Sequence, residues 1–295
     1  MTPALRFRSL LFIACLLAGG SSVFAQFQVA LDLDKKSYVS GEAMTTVVSV
    51  TNRSGVDVVL GGPNGRKWVT FTLRDASDRA LSPLDLTTED PIVLSAGSTV
   101  KRKVRLTDTV AVQDPGNYTV TASVYHPGSG EYYMSNRARF SVMDIKPFGE
   151  PMVFGVPQGY PEAGRVRRYV LMIDRELDSV SMYFRLVDNF TNAKIMTYPI
   201  GSITLAREPM ITMDRENRLH VLFMTNRETY TYAIIQPDGK PKSVQYVKDF
   251  PESHPQLFLS ATNDVVLRGG QVIDPNAPKP QAPKARSISE RPPGL

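Results

Sequence analysis

The stretch Asp114-Pro115-Gly116-Asn117-Tyr118-Thr119-Val120-Thr121-Ala122-Ser123-Val124-Tyr125 limits what this chain can fold into more than any other. Pro115 and Gly116 make a tight turn. Beyond it, Tyr118, Val120, Ala122 and Val124 fall on one face, with Thr119, Thr121 and Ser123 on the other. A period of two marks a strand buried on one side only. Such a strand requires a second layer to bury its apolar face against.

The first half repeats that pattern. Phe27, Val29, Leu31 and Leu33 alternate with Gln28, Ala30, Asp32 and Asp34, and a β-branched run follows over residues 44–51. Further runs over 56–60, 68–73, 92–94, 99–106 and 132–143 bring the set to about eight strands. Gly, Pro and Asn punctuate them, notably at Gly61-Gly62-Pro63-Asn64-Gly65. The expectation is an all-β protein whose residues 26–144 form a sandwich.

Several of these turns carry a resemblance. Asp114-x-Gly116-x-Tyr118-x-Val120 resembles the corner of immunoglobulin-like sandwiches, where a tyrosine hydrogen-bonds back to the chain ahead of a core strand. Val120 stands where antibody domains place a cysteine, so that disulfide cannot form here. Tyr38-x-x-Gly41-Glu42, Thr51-Asn52-Arg53-Ser54-Gly55 and Leu94-x-x-Gly97-x-x-Val100 look like the corresponding turns of bacterial envelope Ig-like domains and macroglobulin-type modules. The same region is similar to the small proteinase-inhibitor domain of bacilli. These motifs are structural and imply an Ig-like fold over residues 27–143, without an activity.

Residues 144–162 contain Pro147, Pro151, Pro157 and Pro161 with Gly149, Gly155 and Gly159. Prolines remove backbone donors and glycines loosen the chain, so residues 145–164 read as a linker. Strand candidates resume at 169–173, 181–187, 194–198, 209–213, 219–224, 229–236, 244–247, 257–260 and 265–267. Within them, Pro209…Asp214…Asn217 leading into residues 219–223 is echoed by Pro255…Asn263-Asp264 leading into 265–267. The echo resembles blades of a β-propeller, but residues 165–274 hold only two to three blades, fewer than closed propellers have. A second antiparallel β domain, as an open sandwich or as blade-like hairpins, is the expectation.

The ends of the chain read differently. Arg6 and Arg8, a short apolar run over 10–18 and small residues up to Ala25 have the form of a secretory signal peptide. Cleavage after Ala25 leaves 270 residues. Cys15, the only cysteine, lies inside this segment; Phe12 and the few apolar residues ahead of it fit a lipid-anchor signal poorly. The rest has no thiol for a disulfide, a nucleophile or a metal. These features point to export, periplasmic or extracellular. Residues 275–295, with Pro278, Pro280, Pro283, Pro292 and Pro293, read as a disordered, partly polyproline-like basic tail.

The formal charge of +5 sits at the two ends. Arg6 and Arg8 supply two of it; Lys279, Lys284, Arg286 and Arg291 against Glu290 supply the other three. Residues 26–274 are therefore neutral overall and lack the electrostatic footprint of a nucleic-acid binder. No later run approaches the roughly 20 apolar residues of a membrane span.

Candidate chemistry is sparse. His126, His220 and His254 stand far apart, with no metal-ligand spacing. His220 shares a strand face with Leu222 and Met224 and reads as a packed histidine; His126 and His254 precede prolines and read as loop residues. Asp32 with Asp34, and Asp214 with Glu216 and Asn217, are the carboxylate groups that a hydrolase or a cation site requires. A solvated strand face beside Lys35 and Lys36 is the better account of the first pair, and turn chemistry is the simpler account of the second group. Lys101, Lys103 and Arg105 share one face and suit an edge strand or an anionic polymer. Nucleophile-elbow, zinc-protease, phosphate-loop and dinucleotide motifs are absent from residues 26–295.

These readings imply a non-enzymatic binding or scaffold protein without cofactor or metal, whose partner is a protein or an envelope polymer. Tyr132 and Tyr133, beside Pro127-Gly128-Ser129-Gly130, are the contact candidates. Proteinase inhibition through the loop at 61–67, offering Arg66 and Lys67, and a hydrolase built on a carboxylate pair are the alternatives.

Overall fold

In β3 (Thr45–Asn52) every second residue is buried, namely Thr46, Val48, Val50 and Asn52, and the intervening ones are half-buried. Side chains of a strand alternate between faces, so β3 lies between a core and a thinner cover. The computed structural model describes residues 26–61, 67–81, 91–108, 112, 114–175 and 179–274. The signal-peptide reading, Cys15, most of the 61–67 loop and the Pro-rich tail lie outside them. The protein is all-β, and its chain separates into two units, residues 1–144 and 145–295.

In unit 1, β1 (Phe27–Leu33) and β3 form a sheet with β7 (Thr99–Arg105), in the order β1-β3-β7. The facing sheet has the order β2-β10-β8-β5, from β2 (Ser37–Val39), β10 (Ala138–Met143), β8 (Gly116–His126) and β5 (Val69–Arg74). A further strand, β9 (Glu131–Met134), pairs with the second half of β8, and β4 (Val58–Leu60) forms a ribbon with β6 (Ile92–Leu94). Between the sheets, Leu31, Val48 and Val50 meet Tyr118, Val120, Ala122 and Val124, and Trp68 packs into the same layer. The apolar face read in residues 118–124 is thus the inner face of the longest strand in this unit.

The turn motifs act as pins. The Tyr118 hydroxyl donates to the Asp114 carbonyl at 2.8 Å, the return bond expected of that corner. Asn52 donates from its side-chain amide to the Val56 and Leu94 carbonyls at 2.7 and 3.0 Å, and its carbonyl accepts the Gly97 N–H at 2.9 Å. Gly41, at φ 82°, lets Glu42 turn back to accept the Val39 N–H at 3.0 Å and to pair with Lys35. Asn136 imitates a strand residue: its Oδ1 accepts the Leu31 N–H at 2.9 Å and its Nδ2 donates to the Leu31 carbonyl at 3.0 Å. That amide occupies the outer edge of β1. Lys101, Lys103 and Arg105 lie on β7, an edge strand.

Unit 2 opens with an antiparallel meander of β11 (Met152–Gly155), β12 (Val166–Arg175), β13 (Val180–Asp188) and β14 (Lys194–Ser202). A second meander follows with β15 (Met210–Met213), β16 (Leu219–Asn226), β17 (Thr229–Ile235) and β18 (Pro241–Lys248). The hairpin of β19 (Gln256–Leu259) and β20 (Val265–Arg268) comes next, and β21 (Gln271–Ile273) returns to pair with β18. Tyr169, Leu171, Phe184 and Leu186 of the first meander pack against Leu219, Val221, Phe223 and Ile235 of the second. The opposite face of the second, with Leu222, Met224, Tyr232 and Val247, packs against Leu257 and Leu267 of the hairpin. Being covered on both sides, β16 is apolar or buried at six consecutive positions, 219–224.

The stretch read as a linker contains β11, whose Phe154 stacks on Tyr169 at 4.2 Å. Pro151 and Pro157 flank that strand rather than interrupt it, and an edge strand tolerates proline beside it. The echo noted around residues 214 and 260 corresponds to two hairpins with the same turn. Asn217 N–H bonds to the Asp214 carbonyl at 3.0 Å and Asn263 N–H to the Ser260 carbonyl at 2.9 Å, with both asparagines left-handed. The two turns are joined by an Arg215 N–H to Asn263 carbonyl bond at 2.9 Å and an Arg215–Asp264 ion pair at 3.0 Å.

The exit from β20 requires glycine. Gly270 has φ 67°, and a Cβ there would lie 2.7 Å from the Lys248 carbonyl oxygen and 2.6 Å from Val247. Gly159, at φ 92°, has open space around its missing Cβ. Gly159→Ala therefore costs about 1 kcal/mol of backbone strain, and Gly270→Ala costs that plus displacement of β18. Thermal melts of the two variants should show the larger fall for Gly270→Ala; equal shifts would contradict the close packing.

Candidate functional site

The carboxylates come first, since they carry the hydrolytic alternative. Asp34 lies beyond the end of β1 and accepts the Tyr38 hydroxyl at 2.5 Å, while Asp32 stays on the exposed face of that strand. No described histidine bonds to either. Asp214 does meet a histidine. One carboxylate oxygen accepts the backbone N–H groups of Glu216 and Arg218, each at 2.9 Å; the other accepts Arg218 Nε at 2.6 Å and His220 Nε2 at 3.0 Å. The Tyr232 hydroxyl donates to His220 Nδ1 at 2.6 Å, the direction required once Nε2 carries the proton. Glu216 points instead to Arg218, at 2.8 Å.

This group has the composition of an acid–base relay but not its freedom. Asp214 and His220 are buried, and four donors take up the lone pairs of the carboxylate. Both ring nitrogens of His220 are engaged, so none is left to take a substrate proton. The arrangement pins the β15–β16 turn to β17. Burial disfavours the charged form of Asp214, but bonds from His220 and Arg218 and the Arg218 charge outweigh it and hold its pKa below the usual value. Burial holds His220 below its usual pKa; the Asp214 hydrogen bond and charge only partly restore it, and Arg218 and Lys242 act with burial. The Tyr232 hydroxyl is pushed up to about 12, first by burial and then by Asp214.

The other histidines are also committed. His254 Nδ1 bonds to Asp249 at 2.7 Å beside the β19–β20 hairpin. His126, read as a loop residue, is the buried last residue of β8 and packs edge-on against Phe27 at a ring distance of 4.5 Å. Its Nδ1 accepts the Ser129 N–H at 3.0 Å, which places the ring proton on Nε2; that N–H has no acceptor among the described residues. Among the described residues, no three His, Cys, Asp or Glu side chains converge as a cation site.

The contact candidates divide by face. Tyr132 is 58% exposed and rests against Tyr125 at 5.2 Å. Tyr133, one residue on, turns inward against Phe27 at 5.6 Å and belongs to the packing of the sandwich. Ser129 is exposed, with its backbone N–H tied to His126. Arg66 lies outside the described residues, and Lys67 adjoins the buried Trp68.

The β8–β9 turn that carries Ser129 forms one wall of a groove that the sequence did not disclose. Pro127, Gly128 and His126 stand on one side, with Val56, Val58 and Val59 of the β4 region and Pro91 opposite, around a cavity of about 420 Å³. Gly128 lies close to that ring, and a Cβ there would stand 3.0 Å from His126 and press on it. Around the groove and the adjoining ribbon and hairpin, Val56 (62% exposed), Val59 (48%), Val93 (68%) and Met134 (66%) present apolar side chains to solvent. Val59 and Val93 are directly paired across the β4–β6 ribbon.

No family model matches this chain, and no curated protein matches it. Among solved structures, it is similar to the Pseudomonas fluorescens alkylpurine DNA glycosylase AlkC bound to DNA containing an abasic site analog. That likeness has 16% identity and a TM-score of 0.28, over 46% of this chain and 36% of that one. It is also similar to Spo0M, the sporulation control protein from Bacillus subtilis, at 10% identity and a TM-score of 0.29, over 60% of this chain and 91% of that one. Neither likeness bears on fold or activity. Among the described residues, no helix is long and apolar enough to cross a membrane.

The buried Asp214–His220 pair fixes the sign of a pH effect. His220 takes up a proton less readily folded than unfolded, so stability is full above about pH 6.5 and declines below it. Asp214 acts in the same direction lower down, its contribution present above about pH 3.9 and lost as pH falls. Melting temperature should drop between pH 7 and 5, and His220→Gln should flatten that slope. An unchanged slope in the variant would show that His220 does not carry it.

Proposed function

We propose that this is an exported, non-enzymatic binding protein whose Ig-like first unit captures an extended apolar segment of another protein in the rim groove. One observation carries the reading: the β4–β6 ribbon holds outward-facing valines beside a concave apolar wall. Solvent-exposed apolar side chains gathered at a groove are costly unless something covers them. Among the described residues, β4 and β6 pair as strands only with each other, although the Leu94 carbonyl at the end of β6 accepts the Asn52 amide. A partner strand added there gains main-chain hydrogen bonds from the edge and side-chain specificity from Val56, Val59 and Pro91. Tyr132 supplies a rigid aromatic contact next to the adaptable Pro127–Gly130 turn.

Among the described residues of the same unit, Asp32 and Asp34 have no histidine partner, and His126 is packed against Phe27. The two meanders of unit 2 follow one another as propeller blades do, and we read them as a blade-like scaffold. Export rests on the form of residues 1–25.

Photo-crosslinking in the native envelope tests the groove. A crosslinker placed at position 59, 93 or 132 of the full chain should give a discrete protein adduct, and one at position 101 on β7 should not. Val59→Asp should remove the adduct formed from position 132 while leaving the melt of the protein nearly unchanged. Tyr132→Ala should weaken capture by about 1–2 kcal/mol. Adducts as abundant from position 101 as from the groove, or adducts that survive Val59→Asp, would overturn the assignment.

A further inference from the structure

The outer face of the sheet β2-β10-β8-β5 carries a second feature, chemically unlike the groove. The register of the sheet sets polar groups in rows across three strands. Ser37 pairs with Ser141 and Ser141 with Asn117; Arg139 pairs with Thr119 and Thr119 with Arg74. Of these, Asn117, Thr119, Arg139 and Ser141 line a concavity of about 600 Å³, together with Lys36, Arg137 and the turn residues Asp75 and Asp78. Neighbouring strands lie about 4.8 Å apart, so hydroxyl, amide and guanidinium groups recur at close to the spacing of successive residues in an extended pyranose chain.

Charge on this face is unbalanced in a specific way. Asp75 is occupied within its own turn, accepting the Ser77 and Arg79 N–H groups at 2.9 and 3.0 Å and pairing with the Arg79 guanidinium at 2.9 Å. Asp78 faces Arg74 at 3.5 Å. Both carboxylates are thus answered by arginines of the same hairpin. Lys36, Arg137 and Arg139 have no ion-pair partner among the described residues, although all three are exposed on the rim of the concavity. Arginine presents a planar fork that matches a carboxylate at two points. Two arginines and a lysine on a chain neutral over residues 26–274 fall short of the roughly 6–10 phosphate contacts of a DNA-binding surface. They are sufficient for a polymer that carries one carboxylate per sugar and offers hydroxyls between.

We propose that the outer face of this sheet binds an acidic polysaccharide of the polyuronate class. Arg137, Arg139 and Lys36 take its carboxylates, and Asn117, Thr119 and Ser141 bond its hydroxyls. The site is independent of the apolar groove, uses none of its residues and stands or falls separately from the protein-binding reading.

Titration of the full chain with polygalacturonate fragments, followed by calorimetry and by amide NMR shifts, tests this. Binding should weaken as salt rises, and shifts should concentrate at Asn117, Thr119, Arg139 and Ser141. Arg137→Ala/Arg139→Ala should lower affinity about tenfold or more, while Lys101→Ala/Lys103→Ala on the β7 edge should leave it unchanged. Asn117→Ala/Ser141→Ala, which keeps every charge, should also lower affinity; that separates hydroxyl recognition from attraction to charge alone. The proposal fails if polygalacturonate does not bind. It also fails if neutral dextran competes equally, if the β7 variant loses as much affinity, or if polyphosphate or duplex DNA binds more tightly.

Discussion

Without a disulfide available to residues 26–295, the first unit depends on the apolar layer between its sheets, and β8 is the strand that defines that layer. It is long enough for one half to pair with β10 and the other with β9, while β5 runs along its opposite side. Tyr118, Val120, Ala122 and Val124 fill the layer, and each apolar side chain fully buried there contributes on the order of 1.5–3 kcal/mol. Apolar burial has no direction, however, and by itself leaves the sheets free to slide. Directed polar bonds supply the register: Tyr118 to the Asp114 carbonyl, Asn52 to the Leu94 carbonyl, and Asn136 across to Leu31. Each net hydrogen bond is worth only about 1 kcal/mol, yet a buried donor left unmade costs as much or more. The alternatives to this register are thereby penalised.

The second unit uses the same logic at its turns. Several of its hairpins reverse through a left-handed residue: Asn192, Asn217, Gly239 and Asn263. Asparagine tolerates that conformation and glycine has no steric cost there, so the turns are written in the sequence as Asx-rich or Gly-containing spacers. Asp214 shows how far a turn residue can be drawn into the interior. It organises two backbone N–H groups, an arginine and a histidine at once, and the histidine continues the chain of bonds to Tyr232. Aspartate beside histidine reads as chemistry when isolated from its surroundings. Counting lone pairs shows how fully it is committed: four donors occupy the acceptor positions of Asp214, and both nitrogens of the buried His220 are bonded.

Much of the framework was legible in the chain. The period-two face of residues 118–124, the tyrosine corner and the echo between the turns at 214 and 260 are local patterns, and local patterns survive translation into structure. The strand at Met152–Gly155 was hidden because the prolines on either side dominate its composition, although they stand outside its four residues. Tyr132 and Tyr133 looked equivalent as neighbours. Strand geometry sends adjacent side chains to opposite faces, and only the pairing of β9 with β8 decides that Tyr133 is the inward one. The groove and the polar concavity were illegible for a stronger reason. Val59, Pro91 and His126 are separated by tens of residues, as are Lys36, Asn117 and Arg139, and no window of sequence contains either set.

That separation bears on how such a protein acquires function. In an antiparallel sandwich the inner faces are committed to packing, and the turns are committed to reversing the chain. What remains variable is the outer face of each sheet and the rim where ribbons meet hairpins. On the outer face of β2-β10-β8-β5 the register converts single polar residues from four strands into rows. At the rim, the short β4–β6 ribbon leaves valines outside the core because two strands of three residues are too small to fold over them. Both surfaces arise from the pairing pattern itself and require no reactive group. The polar pins that fix the register of the sheets therefore also fix the spacing of whatever those surfaces present.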